Sequence, residues 1–261
     1  MELAGYLALI GIGMILSLIG GGGSLLSVPI LVYLFCLDIV MASSYSLFIV
    51  GTTSLLGALL MRKEQRVDMR SGVIFGSSSM VAIFSTRKWI LPWMPEEVLL
   101  GDSLFISKRV LILGIFAMLV IASSLMMLLK HDWTSRNQSK QRLKLLLPVS
   151  FTTGMLGGLV GAGGGFLILP SLVVFARLPF KIAVGTTLLV IGFSSLFGFL
   201  GDVMNYPIDW LFLLLITGLA SMGMLIGNFC SAKIPVYYLR LSFGWIMLIT
   251  AITILVKEFT R

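Results

Sequence analysis

The apolar residues of this chain come in runs, and the runs have the length of a membrane. They fall at 3–35, 40–60, 71–86, 109–129, 145–176, 181–200, 208–232 and 238–256, with short polar segments between them. A hydrocarbon core about 30 Å thick takes about 20 helical residues, so most runs suit one crossing. Of the 261 residues, 58% are hydrophobic and only 11% charged, against roughly 25% charged in soluble domains. A water-exposed globule could not be covered with so little polar surface. The net charge of +8 comes from Lys and Arg clustered between the runs, at Arg62–Arg70 and Lys130–Lys144. Anionic headgroups, not nucleic acid, are the partners such loops imply.

Smaller signals point the same way. The N-terminus lacks a basic stretch and a small-residue cleavage site, so it reads as a retained first span. Cys36 and Cys230 lie far apart in apolar surroundings, without a CxxC or a Cys/His cluster. They read as buried, inert thiols, and no metal or other cofactor is expected. Trp89 and Trp93, just after the short third run, suit an interfacial belt.

Two runs do not fit. Residues 3–35 and 145–176 are too long for one straight span and too short for two. Glycines interrupt each near its middle: Gly20, Gly21, Gly22 and Gly23 in the first, Gly161, Gly163, Gly164 and Gly165 in the second. Shifting the chain by 141 residues brings Pro29 onto Pro170, and 20–58 against 161–199 then shows 14 identities in 39 positions. Shared apolar composition would not align the glycines, the proline and the later Gly51, Gly57, Gly192 and Gly198 together. The expected fold is an all-α integral membrane protein of about eight segments in two homologous four-segment halves, 1–130 and 145–261. Residues 131–144 form the polar linker. Counting Lys and Arg around eight crossings puts the termini in the cytoplasm. Four crossings per half would relate the halves by an axis along the membrane normal, and an odd number would invert them.

Broken backbone is tolerated in lipid only where it is buried in protein or lines a wet cavity. Paired breaks in two halves are the best sequence pointer to a transporter's substrate site. After each break a helix restarts, at Ser24 with Ser27 following, and at Phe166, and its first amides attract anions. A second, hydroxyl-rich cluster follows: Ser44, Tyr45 and Ser46 in half one, matched by Gly185, Thr186 and Thr187 in half two. These could ligate an oxyanion, or equally bond helix carbonyls and neighbouring helices. Asp38, Asp202 and Asp209 fall near span ends, and no ionisable residue sits clearly at mid-membrane. The glycine pattern does not fit a dinucleotide fingerprint, because Phe166 stands where the last glycine belongs.

The run GAGGGFLILP (Gly161–Pro170), with its variant GGGGSLLSVP (Gly20–Pro29) and the following Ala183–Thr187, resembles the TauE/SafE family of membrane transporters. That resemblance implies a multi-pass inner-membrane permease of bacterial or archaeal type. It also implies a small anion as substrate: sulfite, a small organosulfur anion such as sulfoacetate, or a carboxylate. The anion would lie between the half-helix ends at the two breaks, with membrane lipid as the other partner and homo-oligomerisation left open. Two other classes remain at this stage. One is a non-transporting membrane scaffold. The other is an enzyme acting on a lipid-linked substrate through Glu96, Glu97 and Asp102.

Overall fold

The structure is a computed structural model that describes residues 2–20, 22–95, 97–100, 104–129, 143–161, 163–231 and 236–259. The first half comprises α1 (Glu2–Ile19), α2 (Gly22–Tyr33), α3 (Ile39–Lys63) and α4 (Met69–Ser85), followed by a π-helical turn (Thr86–Ile90) and a single turn, α5 (Leu91–Trp93). A hairpin of β1 (Glu97–Leu100) and β2 (Leu104–Ser107) precedes α6 (Lys108–Leu129). The second half comprises α7 (Leu143–Val160), α8 (Gly165–Val174), α9 (Phe180–Val203), α10 (Trp210–Ser231) and α11 (Val236–Phe259). Among the described residues, Ile39–Lys63, Phe180–Val203 and Trp210–Cys230 are long and apolar enough to cross a membrane, and shorter apolar helices accompany them.

The fold is dominated by helices, as expected, with a small hairpin beside them. Its strands pair antiparallel from Glu97 opposite Ser107 to Leu100 opposite Leu104. Val98 and Ile106 are β-branched and Phe105 is aromatic, residues that favour a pleated strand over a helix. Sequence periodicity passed over them because each run is only four residues long.

α3 and α9 form the centre, and their small residues set how they meet. Gly51 lies against Leu196, and Gly192 against Leu55. Gly57 lies against Leu188, and Gly198 against Leu47. Residue numbers rise on one helix as they fall on the other, so the pair is antiparallel. A Cβ on Gly51 would come within 2.9 Å of Leu196 Cγ, which is how glycine lets helices in lipid approach closely. Each of these contacts has a counterpart with the partners exchanged by the 141-residue shift.

The remaining directions follow from contacts of the same kind. α10 runs parallel to α3, with Tyr45 beside Phe212 and Gly57 beside Met224. α1 runs parallel to α10, with Ile10 against Gly223 and Met14 against Gly227. Since α1 and α3 run the same way, α2 must carry the chain back between them. The Tyr6 and Phe35 rings, 5.5 Å apart, close that hairpin. Likewise α4 runs parallel to α9 (Gly72 on Leu189, Gly201 on Arg87), and α7 parallel to α4 (Gly154 on Ser79, Gly158 on Ile83). α8 is therefore the return stroke of the second half.

Both return helices end alike. Cys36 and Arg177 take left-handed conformations (φ 54° and 53°). The Leu37 amide then donates to Leu31 O at 3.2 Å, and the Leu178 amide to Leu172 O at 3.4 Å, the six-to-one closure of a Schellman turn. That turn leaves Cys36 exposed, and Cys230 is exposed on α10. The expectation of buried thiols is corrected at both positions: apolar neighbours in sequence did not mean burial, because one cysteine ends a helix and the other sits on an outward face.

Candidate functional site

Gly161, Gly163 and Gly164 adopt φ values of 76°, 63° and 68°, a region that residues with a side chain enter only at a cost. Their left-handed path reverses the chain within a few residues. The Gly161 amide ends α7 on Gly157 O at 3.0 Å, and Gly164 O accepts from the amides of Leu167 and Ile168, each at 2.9 Å, to start α8. α8 therefore begins inside the protein, with Gly165 and Phe166 buried in its first turn.

The void where Gly161 lacks a side chain is filled by two groups from the other half, Ser43 and the Arg87 guanidinium. Arg87 has no exposed surface. Its Nη1 lies 3.1 Å from Asp202 Oδ2 and donates to Ser43 Oγ at 2.9 Å. Ser44 donates to the same Asp202 oxygen at 2.6 Å. The cluster is incompletely paired: Arg87 Nε and Nη2 and Asp202 Oδ1 are buried without a partner. Buried polar groups are almost always satisfied, and an unpaired charged donor in an apolar interior costs more than a neutral one.

Two turns along α9, about 10 Å at 1.5 Å per residue, the Ser195 hydroxyl is buried and unpartnered. It occupies the space that a Cβ on Gly163 would need, so it faces the backbone that opens α8. Ser54, buried and unpartnered on α3, stands next to Leu55 at the same close crossing. Thr187 Oγ1 and Ser17 Oγ are further orphans.

Several of the expected site residues hold hydrogen bonds or close contacts within the helical frame. Tyr45 OH accepts from the Asp209 amide at 2.9 Å, at the start of α10. Thr186 accepts from the Asp68 amide at 2.9 Å and donates to Ile182 O at 2.7 Å. Gly185 makes room for the Arg66 carbonyl. Ser46 and Ser27 bond each other at 2.5 Å, and Ser27 also donates to Ser24 O at 2.8 Å. Pro29 and Pro170 lie within α2 and α8, each one turn or more after the restart. Gly22 and Gly23 open α2, whereas Gly21 falls outside the described residues.

The outer glycines of the two clusters are not neighbours. Gly20 (φ 75°) packs on Val184, near the start of α9, while Gly161 packs on Ser43 beside Asp202, near its end. Eighteen residues of helix, about 27 Å, separate Val184 from Asp202. One small anion cannot touch both. The Gly20 end instead carries a small recess lined by Ser17, Met61, Arg66, Lys181 and Val184.

Sequence reasoning missed Arg87 and Asp202 as a pair. In sequence Arg87 stands beside Lys88 and Trp89, the surroundings of an interfacial cation. The π-helical turn separates them, turning Arg87 inward while Lys88 lies over the Phe84 and Trp89 rings, 5.5 and 5.7 Å from their centroids. Wide turns of this kind are frequent at functional sites. One signal was available: Thr187, Ser195, Gly198 and Asp202 share one helical stripe of α9, and that stripe is buried.

A family model described as sulfite exporter TauE/SafE matches residues 6–254. A probable membrane transporter protein of Xylella fastidiosa (strain Temecula1) is 30% identical, over 94% of this chain and 91% of its own. The probable membrane transporter protein YunE of Bacillus subtilis is 27% identical over 85% of each. The probable membrane transporter protein MJ0441 of Methanocaldococcus jannaschii is 27% identical, over 72% of this chain and 67% of its own. No solved structure matches the chain.

Proposed function

The chain belongs to the sulfite exporter TauE/SafE family, and from that premise we propose that it is a permease for a small oxyanion, sulfite or a small organosulfur or carboxylate anion. The anion is held between the start of α8, in the second half, and Arg87, from the first. One observation carries this: a fully buried guanidinium with two unpartnered nitrogens lies against the Gly161 break. A cation there can take two oxygens of an anion side by side. The first amides of α8 and the Ser195 hydroxyl supply neutral donors on the other side. The Gly20 break, with Lys181 and Arg66 at its recess, serves as the opposite mouth of the path. The two halves then stand in inverted orientation, as in transporters whose broken helices meet near the middle of the membrane.

The test is counterflow of labelled anions in vesicles carrying the purified protein, with sulfite, sulfoacetate and acetate as probes. Exchange above empty vesicles is expected for at least one. Gly164→Leu, which forces a side chain into a left-handed position, is expected to cut that exchange at least tenfold while the protein still elutes as one folded species. Full exchange by folded Gly164→Leu would remove the α8 start from the site. As a companion measurement, Ser195→Ala deletes one neutral donor. It is expected to weaken the half-saturating concentration about fivefold, the size of one hydrogen bond at about 1 kcal/mol.

A further inference from the structure

We infer that Asp202 is the proton-coupling residue of this permease, so that each anion bound at Arg87 travels with one proton. The inference rests on the anion site proposed above and adds an activity to it.

In the ligand-free arrangement Asp202 is the counter-ion of Arg87, at 3.1 Å. An incoming anion needs the same guanidinium. Two of its nitrogens are open, but the charge of Arg87 balances only one negative group. With both anion and carboxylate in place, a buried site would hold one cation and two anions. Such an excess is far costlier than protonating one carboxylate.

The surroundings leave Asp202 as the group that takes the proton. From α3 come the Ser44 hydroxyl, which donates to Asp202, and the Ser43 hydroxyl, which accepts from Arg87. From the π-helical turn comes Arg87 itself, while Lys88 points away over its two rings. Tyr206, after α9, acts on Arg87. Asp209 is engaged at the start of α10, where its Oδ1 accepts from the Phe212 amide at 3.1 Å.

Asp202 Oδ1, buried and unpartnered, is the atom that accepts the proton. The proton comes from water on the side from which the anion enters. It sits on Oδ1 while the anion replaces the carboxylate at Arg87. When the anion leaves, Asp202 returns to Arg87 and gives the proton to water on the other side. For a monoanion the cycle moves no net charge. The paired ligand-free state and the loaded, protonated state are the two forms able to change orientation. A deprotonated carboxylate beside a bound anion is not.

The experiment uses vesicles containing the full chain, a pH-sensitive dye inside, and a labelled monoanion added outside. Wild-type protein is expected to acidify the lumen with about one proton per anion, and to accumulate anion when the outside is made acidic. Asp202→Asn, which is neutral at any pH, is expected to lose accumulation and lower the proton-to-anion ratio at least fivefold, with counterflow still measurable. Asp202→Glu keeps an ionisable group and is expected to keep a ratio near one. Net uptake of the anion by wild-type protein without lumen acidification would overturn the coupling and leave the permease reading standing. So would an unchanged ratio in Asp202→Asn. Absence of wild-type counterflow with every anion would remove both.

Discussion

Arg87→Met is expected to abolish anion exchange and to destabilise the protein by about 3–5 kcal/mol, the cost of leaving one partner of a buried ion pair uncompensated. Methionine fills much of the same volume, so the effect reads the lost charge and donors more than a cavity. What remains is Asp202, fully buried with only Ser44 donating to it at 2.6 Å. The double variant Arg87→Met/Asp202→Leu separates stability from function. Replacing both members of a buried pair by apolar groups is often neutral or stabilising, so the double variant is expected to recover most of the thermal stability in detergent. Its exchange should stay at background, because no cation faces the Gly161 break. Recovery of transport in the double variant, or exchange above half the wild-type rate in Arg87→Met, would show that the anion does not use this guanidinium.

The parts of this protein visible in its sequence are those that depend on length and period. The apolar runs, the two breaks and the 141-residue spacing follow from how many residues cross a bilayer and from glycine's freedom at Gly161 and Gly164. What stayed hidden depends on packing between distant segments. Arg87 and Asp202 are 115 positions apart, and neither stands out by its neighbours. Only the antiparallel fit of α3 on α9 brings Ser44 to Asp202, and only the π-helical turn aims Arg87 at both. The hydroxyl cluster divided for the same reason. Ser195, matched to Ser54 by the repeat, is left without a partner, whereas Tyr45 and Thr186 receive backbone amides from α10 and from the turn before α4. Residue type could not tell these roles apart, since either hydroxyl can bond a ligand or a main chain.

The same packing bears on topology. Single cysteines placed at Gln65 and at Asn205, with Cys36 and Cys230 changed to serine, are expected to react with a membrane-impermeant thiol reagent from opposite sides of sealed vesicles. Gln65 lies in the turn between α3 and α4, and Asn205 in the turn between α9 and α10. The two turns are equivalent in the repeat, and a parallel arrangement of the halves would put both on one side. The contacts of Gly51, Gly57, Gly192 and Gly198 make α3 and α9 antiparallel, which sends the two turns to opposite faces. α2 and α8 run back along their neighbours, so each half keeps an odd number of net crossings, the condition for inversion. Charge then falls unevenly. Among the described residues, Arg62, Lys63, Arg66, Arg70, Lys144, Arg177, Lys181 and Arg240 lie towards the Gln65 side, against Lys88, Lys108, Arg109 and Lys257 on the other. The excess of basic residues marks the cytoplasmic face, so Gln65 is expected to label from the cytoplasm. With Gln65 on the cytoplasmic side, the start of α1 and the Arg87–Asp202 pair would lie towards the outer face, opposite to the expectation from eight full crossings. Labelling of both cysteines from one side would refute the inverted arrangement outright. Labelling from opposite sides with Gln65 outside would keep the inversion and reject only the charge argument.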